Sequence, residues 1–266
     1  MIRRVHILAL FLAALHFATE TAALRAPPRI KSEAKSIRSM ASPPNEAVGA
    51  LLRVAGPIVF STMQFSSVKT ALKIVEDKSV NKLSALPFVA LLTNCIVWTL
   101  YGLLKQDLTV LVPNFTGTLA GLFGTLCFHK FCITVPTRLY TLSALIVALA
   151  ITFLFRQDAS SIGLIGCALA VVLSGSPLAT ITTVVREKST AALPFLNSFT
   201  TWLNAFTWLL YGILIAHDIM IYGPNFLGFV LSSIQMLLFA IYGMPPAAVT
   251  SNKDTYDSGE MRPFIG

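Results

Sequence analysis

Apolar positions in this chain neither alternate with polar ones nor recur along one helical face; they run together. Predominantly apolar stretches of membrane length occupy 54–74, 86–104, 108–130, 137–155, 161–184, 194–215 and 219–243, separated by short polar connections. A helix rises 1.5 Å per residue, so about 20 residues cross a hydrocarbon core of roughly 30 Å. A helix also satisfies its own backbone hydrogen bonds where water is absent. The pattern predicts an all-α membrane protein with seven transmembrane helices.

Composition sharpens this reading. Hydrophobic residues make up 55% of the 266 and charged residues 12%, about half the charge of a soluble domain. Mean hydropathy is +0.73. A soluble fold of this length could not cover itself with so little charge. The net charge of +8 is concentrated near the start. Arg3, Arg4, Arg25, Arg29, Lys31, Lys35, Arg38 and Arg53 stand there against Glu20, Glu33 and Glu46. The high pI therefore gives no argument for a nucleic-acid partner.

The first residues read as a targeting segment. Arg3 and Arg4 precede the apolar run Val5–Ala18, and Thr21-Ala22-Ala23 offers a small-residue cleavage site, so 1–23 is expected to be a signal peptide. Residues 24–50 are expected to form a disordered basic leader, rich in Pro, Ser and Ala. Such a two-part leader is similar to those that direct proteins into plastids of secondary origin. The composition is also compatible with a flexible tail left after secretion. Plasma membrane, endomembrane and plastid envelope thus stay open, and Met40 offers an internal start.

Basic residues orient the spans. Odd-numbered connections and the span ends beside them carry Lys69, Lys73, Lys78, Lys82, Lys130, Arg138, Arg186 and Lys188, whereas the even ones carry Lys105 and Arg156. This places the odd connections and the C-terminal tail (244–266) in the cytosol and the mature N-terminus across the membrane.

The chain also repeats itself. An offset of 110 aligns Lys78-Ser79 with Lys188-Ser189, Asn94 with Asn204, Trp98 with Trp208 and Tyr101-Gly102 with Tyr211-Gly212. An offset of 111 then aligns Asp107 with Asp218, Pro113-Asn114 with Pro224-Asn225 and Gly117 with Gly228. Two three-helix units, 51–133 and 159–243, with a linker helix at 134–158, follow from this register. The extra crossing lets both units point the same way, as parallel repeats about an axis along the membrane normal.

No acidic residue lies inside a span: Glu76, Asp77, Asp107, Asp158, Glu187 and Asp218 all sit at span ends or in connections. A charge at the bilayer centre costs at least about 2.5–3.5 kcal/mol and is kept for proton or ion coupling. Its absence argues against a pump, a carboxylate-coupled symporter and a charged substrate. With no Asp or Glu in the spans, and His129 only at the end of the third, there is also no general base in the interior for a membrane-embedded enzyme. The seventh span has no lysine for a retinal Schiff base. Cys95, Cys127, Cys132 and Cys167 lie in apolar runs and read as buried free thiols, and no metal or cofactor constellation is visible.

Uncharged polar groups do enter the interior. Asn114 and Asn225 each follow a proline, which removes a backbone donor and loosens the preceding turn, freeing carbonyls near Thr109 and Met220. Each amide has two donors and an acceptor, suited to the adjacent hydroxyls of a neutral polyol. Trp98 and Trp208 suit either an interfacial aromatic belt or stacking on the C–H face of a sugar ring. Pro87, Pro177 and Pro194 lie near the cytosolic span ends, where hinges or a gate would sit.

Together, Leu86-Pro87-Phe88, Asn94-x3-Trp98-x2-Tyr101-Gly102, Pro113-Asn114-x2-Gly117, Ser176-Pro177-Leu178, Leu193-Pro194-Phe195, Trp208-x2-Tyr211-Gly212 and Pro224-Asn225-x2-Gly228 resemble the SWEET sugar transporters. The resemblance spans roughly Val54 to Gly243 and implies a bidirectional uniporter of mono- or disaccharides that is frequently a homo-oligomer. It places Asn114, Asn225, Trp98 and Trp208 at the substrate, and Tyr101, Tyr211 and Asp218 near the non-cytosolic gate. The family's first hinge proline is replaced here by Ser67, whose hydroxyl bends a helix less than Pro does. The expectation is alternating access without ion coupling. A carrier of another neutral solute or amino acid on the same fold, and a seven-span receptor, are the alternatives.

Overall fold

The computed structural model describes residues 46–244. The expected signal peptide, the leader up to Asn45 and the tail beyond Met244 lie outside the described residues. The chain folds as helices α1 (Glu46–Asp77), α2 (Leu86–Lys105), α3 (Leu108–Phe131), α4 (Thr137–Phe155), α5 (Ala159–Leu173), α6 (Gly175–Glu187), α7 (Phe195–Tyr211) and α8 (Ile219–Tyr242). A π-helical turn, Gly212–Ala216, extends α7, and no strand occurs among the described residues. Since α5 and α6 form one bent span, seven helical spans are long and apolar enough to cross a bilayer.

Local chemistry marks the ends of these helices. Asp107 caps α3 by accepting from the Thr109 amide at 2.9 Å, and Asp218 caps α8 by accepting from the Met220 amide at 3.0 Å. A carboxylate at a helix start takes otherwise unpaired amides and complements the positive end of the dipole. Non-glycine residues in the left-handed region close several helices: Lys78 and Lys188 on one level, Gln106 and His217 on another. Between α2 and α3 the chain turns so tightly that a Cβ on Gly102 would lie 2.8 Å from the Leu111 nitrogen. A Cβ on Gly212 would approach the Tyr222 nitrogen equally closely, at 2.8 Å. Glycine is required at both turns.

Helices α1–α3 form one bundle and α5–α8 a second, with α4 packed against α2 and α5 between them. Buried apolar side chains divide into three clusters. One is shared by both bundles and includes Leu52, Val97, Tyr101, Trp208, Tyr211 and Ile221. The second, built around Ala71, Ile74, Phe88 and Phe128, belongs to the first bundle and α4; the third, around Val184, Leu193, Leu238 and Phe239, belongs to the second bundle alone. The bundles thus share a core at one end and have separate cores at the other.

Two boundaries differ from the sequence-based expectation. Helix α1 begins at Glu46, so residues 46–50, assigned above to the disordered leader, are helical. At about 1.5 Å per residue its 32 residues exceed the hydrocarbon thickness, and hydropathy does not register a helix that continues into the headgroups. The fifth span is also not one rod. It breaks between Leu173 and Gly175, where Ser174 returns its hydroxyl to the Ala170 carbonyl at 2.8 Å. The residue one repeat earlier, Gln64, lies within the unbroken α1.

Candidate functional site

Between the bundles lies a cavity of about 170 Å³. Helices α2 and α7 supply Asn94 and Trp98, and Asn204 and Trp208; α3 and α8 supply Val110 and Asn114, and Ile221, Pro224 and Asn225. All four residues expected at the substrate line this one chamber. The remaining two lining residues are Phe60 of α1 and Ala170 of α5.

Glycines seat the tryptophans. A Cβ on Gly166 would lie 2.8 Å from the Trp98 ring, and one on Gly56 would lie 3.3 Å from the Trp208 ring. Each indole therefore packs closely against bare backbone of the opposite bundle. Each also meets a tyrosine edge-on, Trp98 with Tyr101 at 5.4 Å and Trp208 with Tyr211 at 5.6 Å between centroids. Of the two roles left open for the tryptophans, this placement at a cavity wall favours ring stacking over an interfacial belt.

The asparagines differ from expectation in one respect. Asn114 Nδ2 donates to the Val110 carbonyl at 2.8 Å and Asn225 Nδ2 to the Ile221 carbonyl at 2.7 Å. One amide hydrogen on each is used within its own helix. What remains for a ligand is one donor and the Oδ1 acceptor, not both donors. The internal bond fixes the amide's orientation, which free rotation would not. In the second bundle the Cys167 thiol points at the Met220 carbonyl, 3.6 Å away, the group that Pro224 leaves without its helical partner.

Asn94 and Asn204 enter the sequence reading as repeat markers and, for Asn94, as part of a family motif, without a role at the substrate. Both line the chamber, and the buried Asn204 Oδ1 has no hydrogen-bond partner. A buried polar atom left unpaired costs about 1–3 kcal/mol, which points to a ligand acceptor site. The signal for these residues was present: an amide repeated in register within an apolar run.

One end of the cavity is shut. Tyr101 donates to Asp218 Oδ2 at 2.6 Å and Tyr211 to Asp107 Oδ2 at 2.6 Å, each bond crossing from one bundle to the other. Lys105 Nζ adds an ion pair to Asp218 at 2.8 Å, with the carboxylate side chain only 7% exposed. Burial pushes the Asp218 carboxyl up, but the Lys105 ammonium and the Tyr101 hydroxyl outweigh it and hold the group below its ordinary value. Asp107 and Lys105 complete a closure of which sequence reasoning named only Tyr101, Tyr211 and Asp218.

The other end holds the prolines. Pro87 sits in the first turn of α2 and Pro194 immediately precedes α7, so neither removes an interior hydrogen bond. Pro177 falls in the first turn of α6, just past the break in the fifth span. Ser67 lies within the uninterrupted α1 and its hydroxyl does not bond back to the helix; the neighbouring Thr70 does, to Ser66 at 3.0 Å. Among the described residues, the side-chain hydrogen bonds and ion pair that join the bundles all lie at the tyrosine–aspartate end.

Known proteins share both the sequence and the fold of this chain. A family described as "Sugar efflux transporter for intercellular exchange" matches residues 51–134 and again 160–247. The chain is 31% identical over 201 residues to Sugar transporter SWEET1 of Drosophila pseudoobscura pseudoobscura, covering 71% of this chain and 87% of that protein. It is 32% identical to Sugar transporter SWEET1 of Xenopus tropicalis, covering 71% of this chain and 91% of that protein. Bidirectional sugar transporter SWEET7 of Arabidopsis thaliana is 31% identical, over 72% of this chain and 80% of its own length. A solved structure of a eukaryotic SWEET transporter superposes with a TM-score of 0.66 at 29% identity, covering 74% of this chain and 97% of that one.

Proposed function

The chain belongs to the SWEET family of sugar transporters, and from that premise we propose that sugar binds in the central cavity, on Asn114 and Asn225 between Trp98 and Trp208. The protein is a multi-pass membrane carrier that moves sugar by facilitated transport, and it is not an enzyme. The observation that carries the site is the pairing itself: four amides and two indoles, each set contributed equally by the two bundles, around one chamber without a carboxylate.

Two triple-helix repeats, α1–α3 and α5–α8, rock about the chamber. The mature N-terminus faces away from the cytosol and the C-terminus faces it; the distribution of Lys and Arg supports this orientation. In that frame the tyrosine–aspartate closure is the non-cytosolic gate and the separated proline end opens to the cytosol. Separate cores at the proline end and a shared core at the other support an inward-open state. Sugar enters from the cytosolic side, takes the amide and indole contacts, and leaves when the Tyr101–Asp218 and Tyr211–Asp107 bonds part. No ionisable group lines the chamber to couple an ion, so the sugar gradient alone sets direction. Bonds that break at one end must be offset by packing that forms at the other for both states to be populated.

Purified protein in liposomes, given labelled glucose or sucrose without an ion gradient, tests this reading. Equilibration of either sugar above protein-free vesicles is expected. Equilibration of neither, or uptake that requires an ion gradient, would overturn it.

A further inference from the structure

The lining of the chamber is largely a twofold pattern, with Pro224 present from the second bundle alone and the two bundles most unlike at one level. Asn94 matches Asn204, Trp98 matches Trp208, Asn114 matches Asn225, and Val110 is answered by Ile221. At the remaining level the first bundle carries Phe60 and the second Ala170. A phenyl ring faces a bare methyl group across an otherwise largely symmetric space.

The packing register locates that ring. Helices α1 and α7 run past each other with Gly49 against Ile215 and Gly56 against Trp208. One turn further along α1 is Phe60, and one turn back along α7 is Asn204. Phe60 is therefore level with the amide whose Oδ1 is buried and unpaired. On the mirror side, α2 and α5 pair Tyr101 with Gly163 and Trp98 with Gly166. The same step brings Ala170 level with Asn94, where the methyl leaves room beside the amide.

Volume then decides what fits. A dry cavity of about 150 Å³ holds one benzene molecule. By that scale the chamber, at about 170 Å³, is matched to one six-membered ring. The phenyl of Phe60 occupies space into which a second ring would otherwise extend.

We propose that Phe60 is the specificity-determining residue of this carrier, restricting it to single-ring sugars and displacing the bound ring toward Ala170 and Asn94. The inference rests on the central cavity being the sugar site. In the seated complex a sugar hydroxyl donates to Asn204 Oδ1, and the ring lies against the tryptophans with its edge against the phenyl.

The test is uptake of labelled glucose and labelled sucrose into liposomes by the wild type, Phe60→Ala and Phe60→Leu. The wild type is expected to carry glucose at least about tenfold faster than sucrose. Phe60→Ala should raise the sucrose-to-glucose ratio about tenfold or more, and Phe60→Leu, which retains most of the bulk and the native packing, should give an intermediate ratio. If Phe60→Ala does not fold, an unchanged ratio in Phe60→Leu overturns the proposal. So does a wild type that carries sucrose as fast as glucose, or a ratio unchanged in both variants. A wild type that carries neither sugar overturns the sugar-site reading itself, a different result from either.

Discussion

The Tyr101 hydroxyl reaches Asp218 Oδ2 at 2.6 Å, joining the last turn of α2 to the first residue before α8. Tyr211 and Asp107 form the reciprocal bond at the same distance. The two locks are not equal, because Lys105 also pairs with Asp218 at 2.8 Å. In the second repeat the residues that follow Tyr211-Gly212 are Ile213 to Ala216, with no cation. Tyr101→Phe thus leaves an ion pair in place, whereas Tyr211→Phe leaves Asp107 without a partner from the opposite bundle.

From this asymmetry, Tyr211→Phe should loosen the closed end more than Tyr101→Phe. A hydrogen bond to a charged group contributes about 1.5–3 kcal/mol, so opening should become roughly ten- to a hundredfold more frequent in Tyr211→Phe. The readout is labelling of Val110→Cys, a buried cavity position beneath the lock, by a membrane-impermeant maleimide added only on the non-cytosolic side, in a background lacking the native cysteines. Equal labelling of the two tyrosine variants would refute the inequality.

The same lock has a pH signature. Asp218 is held below the ordinary carboxylate value, taken as about 3.9 in the unfolded chain. A depressed carboxyl contributes stability that is fully present above the unfolded value and is lost as pH falls through the lowered, folded one. Labelling of Val110→Cys should therefore be flat between about pH 5 and 8, after correction for the probe's own reactivity. It should rise only under more acid conditions. Lys105→Met should move that rise to higher pH, since the removed ammonium is the leading cause holding the carboxyl down. An unmoved profile in Lys105→Met would show that the ion pair does not tune the gate.

Much of this arrangement was legible in the sequence. The seven apolar runs gave the spans because hydrocarbon admits few other backbone solutions. The amides, indoles, tyrosines and aspartates fell in register because a duplicated fold repeats what its axis needs. Even the change of offset from 110 to 111 has a structural counterpart in the π-helical turn Gly212–Ala216, which takes up one added residue without ending the helix. Phe60 and Ala170 were invisible for the opposite reason, since alignment by identity passes over a level where the halves differ. The break at Ser174 and the internal bonds of Asn114 and Asn225 depend on tertiary geometry that hydropathy does not encode.

Those internal bonds set an expectation for the site. Asn225→Ala removes the remaining donor, the acceptor and the group that holds the Ile221 carbonyl. Each unmade buried hydrogen bond costs about 1–3 kcal/mol, so sugar affinity should fall roughly ten- to a hundredfold or more, with insertion into the membrane intact. Asn114→Ala should do the same from the other side. Wild-type uptake in either variant would remove that amide from the site.

The tryptophan seats differ in tightness. A Cβ at Gly166 meets the Trp98 ring at 2.8 Å, whereas one at Gly56 meets Trp208 at 3.3 Å. Overpacking a filled site costs about 1–3 kcal/mol. Gly166→Ala should therefore push Trp98 into the chamber and weaken sugar binding about tenfold or more. Gly56→Ala should be absorbed by a shift of a few tenths of an ångström and cost less. Sugar competition curves on both variants, with thermal stability alongside, check the order.

Ser67 bears on motion more than on binding. It lies in the continuous α1, whereas Pro177, its counterpart one repeat later, begins a helix just past a break. The second bundle therefore has a joint at the Pro177 level of its first span, whereas α1 has its proline, Pro57, about three turns before Ser67 and none at that level. Ser67→Pro would remove the bond from residue 67 to the carbonyl of residue 63 and kink the helix, at a cost of about 3 kcal/mol or more if nothing relaxes. Since Ser67 does not line the cavity, the change should alter turnover severalfold while sugar affinity stays within about twofold. Exchange rate and competition affinity, measured on the same liposomes, separate the two quantities. A large loss of affinity at unchanged turnover would mean that position 67 acts on the binding chamber instead of the hinge.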